Sequence, residues 1–349
     1  MQVIDFFCGC GGASEGLRQA GFDVALGLDL DPHAANTYRM NFPEAAFVEK
    51  DITQVELEEV AALVNRQTID EAPLLLTACA PCQPFSKQNK YKCDSDERRS
   101  LLGETHRFIE GLRPEYIMVE NVPGIQKVDD STDGPYKQFL RLLDRLGYSY
   151  VSFIAHAEKY GVPQKRKRLV IIASLLGSVS VPPETHGEGL IPYSTVRDYI
   201  GGFPTLDAGA ICANDAIHRT AKMSELNKTR IRATPEGGDR RNWPSDLVNE
   251  CHKTLSSYTD TYGRMRWDDL APTLTTKCHS YSNGRFGHPD VTQHRAISIR
   301  EAAMLQTFPR NYVFFGPMQS MARQVGNAVP CLLANAFGHY IQEHYQQVG

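Results

Sequence analysis

The first 175 residues alternate short apolar runs with segments of helical periodicity, and no other feature constrains the fold as strongly. Strands that alternate with helices are joined by crossovers, which place the strands parallel in one sheet with helices on both faces. The predicted fold is therefore α/β, a doubly wound, mostly parallel sheet that binds ligands at the carboxyl ends of its strands. The predicted strands are Val3 to Phe7, Val24 to Asp29, Ala46 to Val48, Leu74 to Thr77, Tyr116 to Glu120, Tyr150 to Ala155 and Leu169 to Ser174.

Four helices have local signals. One is predicted from Ser14 to Ala20, with the Ser14 hydroxyl as its N-cap. Asp31-Pro32 predicts the start of the next, because proline is tolerated at the first helical position. Helical spacing returns at Ile299 to Leu305 and at Pro330 to Gln346, and we expect the last helix to pack back onto the first domain.

The alternation ends near Leu176, where glycines and prolines interrupt every long periodicity. The sequence therefore predicts a first domain of residues 1–176 with 320–349, and a second, smaller, loop-rich domain with its hinge at residues 177–319. Residues 1–149 carry 15 Lys/Arg against 24 Asp/Glu, whereas residues 150–349 carry 22 against 17. An acidic half followed by a basic half indicates that the second half contacts phosphate.

Nine cysteines are scattered along a chain with no visible signal peptide or apolar stretch of membrane-spanning length. An odd number of cysteines without an export signal argues against a disulfide framework. The sequence therefore predicts a reduced, cytoplasmic protein that does not enter a membrane.

Cys82 lies in the run Ala78-Cys79-Ala80-Pro81-Cys82-Gln83-Pro84-Phe85-Ser86, directly after the apolar stretch Leu74-Leu75-Leu76. A cysteine on a proline-bounded loop at the end of a buried strand is placed to act as a nucleophile. Cys8 and Cys10 with Cys79 and Cys82 are also compatible with a tetrahedral zinc site. That alternative would consume the proposed nucleophile and leave the other strand-end motifs unexplained.

A glycine loop, Asp5 to Gly12, separates the first predicted strand from its helix. Small residues let the backbone approach a ligand, and amides at a helix start accept an anion. The loop differs from the dinucleotide fingerprint, because Ser14 stands where the third glycine belongs. Asp29, at the end of the second strand, is the acid expected to hold ribose hydroxyls. These features predict an adenosine-containing cofactor.

Two further polar motifs lie at strand ends. Glu120 follows the apolar run Ile117-Met118-Val119, where partial desolvation can raise its proton affinity enough for acid–base work. Gln164, Arg166 and Arg168 alternate along a strand entry, so we expect their side chains to share one face.

Six motifs together resemble the ordered motif set of the bacterial DNA cytosine-5 methyltransferases of restriction-modification systems. They occur in family order from residue 5 to residue 330, and the stretch from Leu176 to about His294 is covered least. The motifs are Asp5 to Gly12, Pro81-Cys82-Gln83, Glu120-Asn121-Val122, Gln164-x-Arg166-x-Arg168, Arg300 to Pro309 and Gln324 to Pro330.

This resemblance implies a class I, Rossmann-like methyltransferase domain with a separate target recognition domain. It also implies a reaction in which Cys82 adds to carbon 6 of cytosine and makes carbon 5 nucleophilic toward S-adenosyl-L-methionine. Glu120 would hydrogen-bond or protonate ring nitrogen 3. Arg166 and Arg168 would support the target ring and phosphate, with Arg168 in direct contact. Because the base is unreachable inside a stacked duplex, it must be flipped into the pocket.

The resemblance also assigns cofactor contacts. Leu30 replaces an aromatic residue common in the family, and Cys8 and Cys10 stand at positions that are usually small or aliphatic. Leu30 can still pack on adenine. The implied cofactor-binding residues are Phe7, Gly9, Gly11, Gly12, Asp29, Leu30, Asp51, Ile52, Pro81, Asn327 and Ala328.

The loop-rich domain matches the recognition domain by position. Seven Lys/Arg against three acids lie between Arg219 and Arg241, next to Trp243, a composition that suits phosphate contact and base stacking. The Thr-Leu pattern makes Thr273 the expected contact to the target phosphate. The predicted DNA-binding residues are Gln83, Ser86, Gln164, Arg240, Arg241 and Thr273, and candidates for reading bases are Arg264, Arg266, His279, Tyr281, Asn283, Arg285 and His288.

Three other functions are compatible with parts of this sequence. A tRNA cytosine methyltransferase shares the expected fold, but the Cys-Phe-Thr signature of that family is absent. A nicotinamide-dependent oxidoreductase fits the fold alone. A non-catalytic DNA-binding homologue would have lost Cys82 or Glu120, and both are present. We therefore expect a monomeric enzyme that acts on double-stranded DNA, binds no metal, and works separately from a cognate restriction endonuclease.

Overall fold

In the computed structural model of the chain, the described residues are 1–64, 73–80, 101–127, 134–253 and 260–348. They divide into two compact units. Unit 1 is Met1–His156, Lys167–Glu184 and Val329–Gly349, and unit 2 is Ala157–Arg166 and Thr185–Ala328.

Unit 1 contains a seven-stranded sheet in the order β3-β2-β1-β4-β5-β7-β6. Neighbours among β1 to β5 pair in parallel, and β7 pairs antiparallel with both β5 and β6. The predicted mostly parallel sheet is therefore confirmed, with the strand order reversing at β1 and β4. The strands are β1 Gln2–Phe6, β2 Asp23–Asp29, β3 Ala46–Glu49, β4 Leu74–Ala78, β5 Tyr116–Asn121, β6 Ser149–His156 and β7 Lys167–Ser174.

The register aligns the carboxyl ends of the parallel strands. Phe6 at the end of β1 pairs with Leu28 on one side and with Ala78 on the other. Ala78 pairs in turn with Val119 of β5. The segments that follow β1, β2, β4 and β5 therefore leave the sheet at one edge. In an open α/β sheet this edge, at the reversal of strand order, is where ligands bind.

The helices of unit 1 pack on this sheet because its strands are apolar on both faces. All five residues of β4 are buried, and the Phe6 ring meets the Phe108 ring edge-on at 4.9 Å. Two buried faces are expected for a parallel sheet covered by helices. The helices of unit 1 are α1 Gly12–Gln19, α2 Pro32–Asn41, α3 Leu57–Leu63, α4 Leu101–Leu112, α5 Pro135–Leu146 and α11 Cys331–Val348.

The predicted N-cap of the first helix, Ser14, is wrong, whereas the predicted start of the second helix at Asp31-Pro32 is correct. The Asp31 side chain accepts hydrogen bonds from the amides of His33 and Ala34, with Pro32 at the first helical position. Helix α1 instead begins at Gly12, with Gly11 as its N-cap at φ 87°. Ser14 lies inside the helix because a buried carboxylate, that of Asp5, accepts the bond from its hydroxyl.

Helix α11 packs against α1, which confirms the predicted return of the last helix. Glycines permit the close approach: a Cβ atom at Gly16 would overlap the carbonyl oxygen of Cys331. A Cβ atom at Gly338 would lie 2.7 Å from that of Ala20. The two helices can therefore meet at this distance only where side chains are missing.

From Thr185 onward, unit 2 is loop-rich, as the sequence predicts for this part of the chain. Ile231, Trp243, Tyr281 and Ala296 form its own small hydrophobic core. The guanidinium of Arg264, fully buried, donates to five backbone carbonyl oxygens and stabilises the surrounding loops. The described elements are β8 Ile211–Cys212, β9 Asp215–Arg219, α6 Val196–Ile200, α7 Glu225–Arg232, α8 Glu250–Lys253, α9 Ile299–Leu305 and α10 Met318–Asn327.

The boundaries of the units differ from the predicted domains at three segments. Residues 177–184 belong to unit 1, where Tyr340 of α11 accepts a hydrogen bond from the Ser180 amide. Residues 157–166 and 320–328 belong to unit 2. The physical reason is Arg166, whose guanidinium bonds to carbonyls within that unit. Among the described helices, none is long and apolar enough to cross a membrane.

Candidate functional site

The glycine loop follows β1 with an unusual backbone. Phe7 has φ 58°, a conformation that non-glycine residues rarely adopt outside functional sites. Gly9 and Gly11 have φ 53° and 87°, and a Cβ atom built at Gly9 meets no atom of the described residues within 4 Å. As far as the described residues show, the loop therefore borders open space at the carboxyl edge of the sheet. The amides of Cys8, Gly9 and Gly11 already donate to protein oxygens, so a ligand would meet the amides of the first turn of α1, which begins at Gly12.

Asp29 is the next group at this edge. Its Oδ2 atom accepts a hydrogen bond from the Gly9 amide at 2.8 Å, and its Oδ1 atom accepts one from Asp31 at 2.9 Å. Burial raises the pKa of Asp29, while the backbone bonds from Asp31 and Gly9 oppose that rise. Each carboxylate oxygen keeps acceptor capacity for a hydroxyl. Asp29 thus fixes the glycine loop and retains the capacity to bind ribose.

The residues predicted around adenine lie nearby in sequence, on strand ends of the same unit. Leu30 is 62% exposed, which leaves its side chain free to contact a ligand. Asp51 accepts hydrogen bonds from the Thr53 amide and hydroxyl, and caps the turn that follows β3. Ile52 is buried. These contacts with the cofactor stay predictions.

Asp5, which sequence reasoning did not assign to the site, lies fully buried beneath the glycine loop. The Ser14 hydroxyl donates to its Oδ2 atom at 2.6 Å and lies 3.0 Å from the Tyr38 hydroxyl. Burial raises the pKa of Asp5 to about 7, partly offset by the bonds from Ser14. The sequence does not reveal this contact because a serine near a helix start is ordinarily an N-cap. Ser14 instead lies inside α1, where its hydroxyl reaches Asp5.

Glu120 forms an ion pair with Arg168 at the end of β5. Its Oε1 atom lies 2.7 Å from Arg168 Nε, and the two side chains are only 12% and 14% exposed. Next to Glu120, the Asn121 amide donates to the carbonyl oxygen of Ala80 at 3.3 Å. Strand β5, which carries Glu120, therefore also binds Ala80, the last described residue before the segment that contains Cys82. The role of Asn121 had no sequence signal beyond its place in the motif.

Four predicted site residues, Pro81, Cys82, Gln83 and Ser86, lie outside the described residues. The three cysteines that the zinc alternative groups with Cys82 lie within the described residues. Burial raises the pKa of Cys8, Cys10 and Cys79, which keeps these groups in the thiol form. Within the described ranges, no cluster of three or more His, Cys, Asp or Glu side chains is arranged to hold a metal ion.

Gln164 and Arg166 are buried within unit 2, and their described partners are protein groups. Gln164 accepts from the Leu274 amide and donates to the Gln306 side chain. Arg166 donates to the carbonyl oxygens of Leu274, Gly326 and Ala328. The predicted contact of Gln164 with DNA and the predicted support of the target ring and phosphate by Arg166 stay predictions, but these bonds occupy the same polar atoms.

The predicted phosphate contacts differ in exposure. Thr273 is exposed, and its hydroxyl donates to the Lys165 carbonyl oxygen at 2.5 Å. Arg241 is exposed and paired with Asp239, whereas Arg240 is buried and donates to Thr261. The expectation that Trp243 stacks on a base is wrong for this structure. The indole is buried in the core of unit 2, where its Nε1 atom donates to Thr234.

Three of the seven candidates for reading bases are also interior residues. Arg264 is saturated by carbonyl oxygens, and the Tyr281 hydroxyl lies 2.7 Å from that of Thr234. His288 lies 3.4 Å from the Glu301 carboxylate, and burial lowers its pKa. Composition could not separate these structural residues from surface ones. Arg266 and Asn283 are exposed, so they keep their candidacy.

Sequence and structure comparisons identify the relatives of this chain. The sequence model of the C-5 cytosine-specific DNA methylase family matches residues 1–343. The chain belongs to the C-5 cytosine-specific DNA methylase family. It is 41% identical to the type II methylase M.HgiDII of Herpetosiphon aurantiacus, across 97% of this chain and 94% of that protein. It is 31% identical to the type II methyltransferase M1.HphI of Haemophilus parahaemolyticus, across 98% and 86%.

The fold agrees with this membership. A solved DNA modification methyltransferase encoded within an Escherichia coli prophage superposes with a TM-score of 0.77, at 24% identity, over 99% of both chains. A C-5 cytosine DNA methylase acts on DNA and requires a methyl donor, so the nicotinamide-dependent alternative is wrong. The protein is an enzyme of the kind found in type II restriction-modification systems.

Proposed function

We propose that this protein transfers a methyl group from S-adenosyl-L-methionine to carbon 5 of a flipped-out cytosine in a specific double-stranded DNA sequence. The observation that carries the proposal is the Glu120–Arg168 pair at the carboxyl edge of the sheet. It lies on the strand whose Asn121 holds Ala80, at the start of the cysteine loop. A mostly buried carboxylate beside a guanidinium is fixed in position and can bond to a polar ring edge.

The cofactor fits the residues present at this edge. S-adenosyl-L-methionine supplies an electrophilic methyl group on a sulfonium. Gly9 borders open space, and Asp29 keeps acceptor capacity for ribose hydroxyls. Phe7 and Leu30 provide apolar surface for adenine. Asp51 and Ile52, with Pro81, Asn327 and Ala328, complete the proposed set of contacts.

Covalent catalysis through Cys82 overcomes the weak nucleophilicity of carbon 5. The Cys82 thiolate forms a bond to carbon 6, and the electrons of the 5,6 double bond make carbon 5 enamine-like. Glu120 bonds to ring nitrogen 3 and stabilises the charge that moves there. Carbon 5 would then take the methyl group as the bond from that group to the sulfonium sulfur breaks and a neutral thioether leaves, and carbon 5 would lose its proton to a base. The electrons of that carbon–hydrogen bond restore the double bond and expel Cys82.

DNA binding is assigned mainly to unit 2, which carries 20 Lys/Arg against 15 Asp/Glu, while the rest of the chain is acidic. Exposed Thr273, with Arg240 and Arg241, would contact phosphates, and Gln83 and Ser86 would approach the flipped site. The names of the type II relatives support a role in protecting DNA against a separate restriction endonuclease. We propose that the enzyme does this as a cytoplasmic monomer.

The covalent step has a direct test. Bisulfite sequencing of DNA from cells expressing the protein first identifies the methylated site. A duplex with 5-fluorocytosine at that position is then incubated with the protein and S-adenosyl-L-methionine. Because fluorine cannot leave carbon 5 as a proton does, the Cys82 bond to carbon 6 should persist as an adduct stable in denaturing electrophoresis. Peptide mass analysis should place it on Cys82.

Cys82→Ser should abolish the adduct, whereas Cys251→Ser, at an exposed thiol of unit 2, should retain it. An adduct that survives Cys82→Ser would reject Cys82 as the nucleophile. No adduct on a duplex whose unfluorinated form is methylated would reject the covalent mechanism itself.

A further inference from the structure

Three buried side chains of unit 2, here called the amide cluster, are joined by hydrogen bonds to each other or to the same backbone residues: Gln164, Arg166 and Gln306. None is more than 1% exposed. Gln164 Nε2 donates to Gln306 Oε1 at 2.8 Å and to the Leu305 carbonyl oxygen at 3.1 Å. Gln164 and Gln306 are 142 residues apart in the sequence. The cluster therefore joins segments that only the tertiary structure brings together.

On one side, the cluster holds the segment that carries Thr273. The Leu274 amide donates to Gln164 Oε1 at 3.0 Å, and the Leu274 carbonyl oxygen accepts from Arg166 Nη1 at 3.2 Å. Both backbone groups of Leu274 are thus bound by the cluster. The Thr273 hydroxyl donates to the carbonyl oxygen of Lys165, which lies between the two cluster residues in sequence.

On the other side, the cluster holds the segment that carries Asn327 and Ala328. Gln306 Nε2 donates to the Val325 carbonyl oxygen at 2.7 Å and to that of Ala328 at 3.0 Å. Arg166 donates to the carbonyl oxygens of Gly326 and Ala328. Val325, Gly326 and Ala328 surround the predicted cofactor contact Asn327.

The two segments also touch directly. A Cβ atom at Gly326 would overlap the backbone of Thr275, so the end of α10 packs against the Thr-Leu segment with no side chain between. Polar groups buried this deeply cannot lose their partners without a penalty. A displacement of either segment therefore breaks bonds to a cluster that also holds the other segment.

We infer that Gln164, Arg166 and Gln306 are positioning residues that couple DNA binding at Thr273 to cofactor binding at Asn327 and Ala328. The inference rests on the proposed function, which assigns those two contacts. A ligand that orders one segment also orders the shared cluster. Binding of the second ligand then costs the protein less conformational entropy. Thermodynamic linkage requires each ligand to change the affinity for the other by the same factor.

The test measures the affinity for S-adenosylhomocysteine, the unreactive product, with and without a saturating duplex that carries the methylated site. The ratio of the two dissociation constants is the coupling factor, which is typically about 5 to 150 for coupled sites. Wild type should give a factor well above 1. The ratio of duplex affinities with and without S-adenosylhomocysteine should give the same factor.

Gln164→Met should lower the coupling factor at least several-fold toward 1, because it removes the bond to Gln306 and leaves the Leu274 amide unbound. Gln293→Met is the matched control. That glutamine is also buried in unit 2, but its side chain accepts from Leu206 and Arg295 and takes no part in the cluster. The control should keep the wild-type factor.

Arg166→Lys provides a second variant if Gln164→Met does not fold. A lysine ammonium keeps the charge but cannot bridge Leu274 and Ala328 as the guanidinium does, so the factor should again fall. A wild-type factor of 1, or an unchanged factor in folded cluster variants, would overturn the inference. Failure of wild type to bind either ligand would instead count against the proposed function, so the two failures are distinguishable.

Discussion

Glu120 is the single residue whose replacement best separates chemistry from binding. Glu120→Gln keeps the shape of the side chain but removes the charge that pairs with Arg168 and the ability to stabilise a proton on the ring. We expect the single-turnover methylation rate to fall by about 10² to 10⁴, with duplex affinity changed only a few-fold. Rapid-quench assays and equilibrium titration on the same duplex measure the two quantities.

Glu110→Gln provides a matched surface control, since Glu110 is exposed on α4 and pairs with Arg145. It should leave both quantities unchanged. A methylation rate for Glu120→Gln equal to that of wild type would remove Glu120 from the mechanism.

Asp5 gives the protein a pH-dependent stability. Its pKa is about 7 in the folded protein because of burial, against about 3.9 in an unfolded chain. The folded state therefore holds a proton that the unfolded state releases. The contribution of Asp5 to stability is full below pH 4, falls as pH rises toward 7, and is lost above that.

Asp5→Asn stays neutral at every pH and can still accept the bond from Ser14. Its free energy of unfolding, relative to wild type, should therefore increase by about 2 to 4 kcal/mol between pH 5 and pH 8. Urea unfolding curves of both proteins at the two pH values measure this difference. Equal differences at pH 5 and pH 8 would show that Asp5 does not titrate in this window.

At the scale of elements, the contact between α1 and α11 depends on glycine. Gly16→Ala places a methyl group against the Cys331 carbonyl, so the helices must separate. Overpacking of this kind costs about 1 to 3 kcal/mol. Thermal or urea unfolding measures the loss.

Gly103→Ala tests the same substitution in α4, where a Cβ atom meets no atom of the described part of the chain within 4 Å. Alanine favours the helix by up to about 1 kcal/mol, so this variant should match or exceed wild-type stability. Equal losses in the two variants would contradict the contact between α1 and α11.

The elements themselves follow largely from local patterns. All seven strands of the sheet and helix α9 match their predicted positions to within two residues, because buried strands and amphipathic helices have distinct periodicities. Helix α10 was not predicted as a separate element. In the sequence, its Gln324, Gly326 and Asn327 belong to a motif. A glycine near the end of a helix weakens the helical pattern by which the element could be predicted.

At the scale of the whole molecule, the basic charge of unit 2 predicts salt-dependent DNA binding. Each phosphate that a lysine or arginine neutralises contributes about 0.9 to the slope of log affinity against log salt. Arg241→Gln removes an exposed cation of unit 2 that is predicted to contact phosphate, and it should lower that slope by about 1. Affinities measured at several salt concentrations give the slope.

Arg39→Gln removes a cation from acidic unit 1, where Arg39 pairs with Glu49. It should leave the salt slope unchanged. If Arg241→Gln also leaves the slope unchanged, Arg241 makes no phosphate contact.

The sequence by itself determined the sheet, the segments at its carboxyl edge and the family, because these depend on local periodicity and on motifs in fixed order. Only the tertiary structure decided which polar residues are interior. Arg166 and Arg264 resemble DNA contacts in sequence, yet carbonyl oxygens bind both inside unit 2. Arg166 finds its partners 108 to 162 residues away. Burial of a charge depends on such distant partners, which no local pattern encodes.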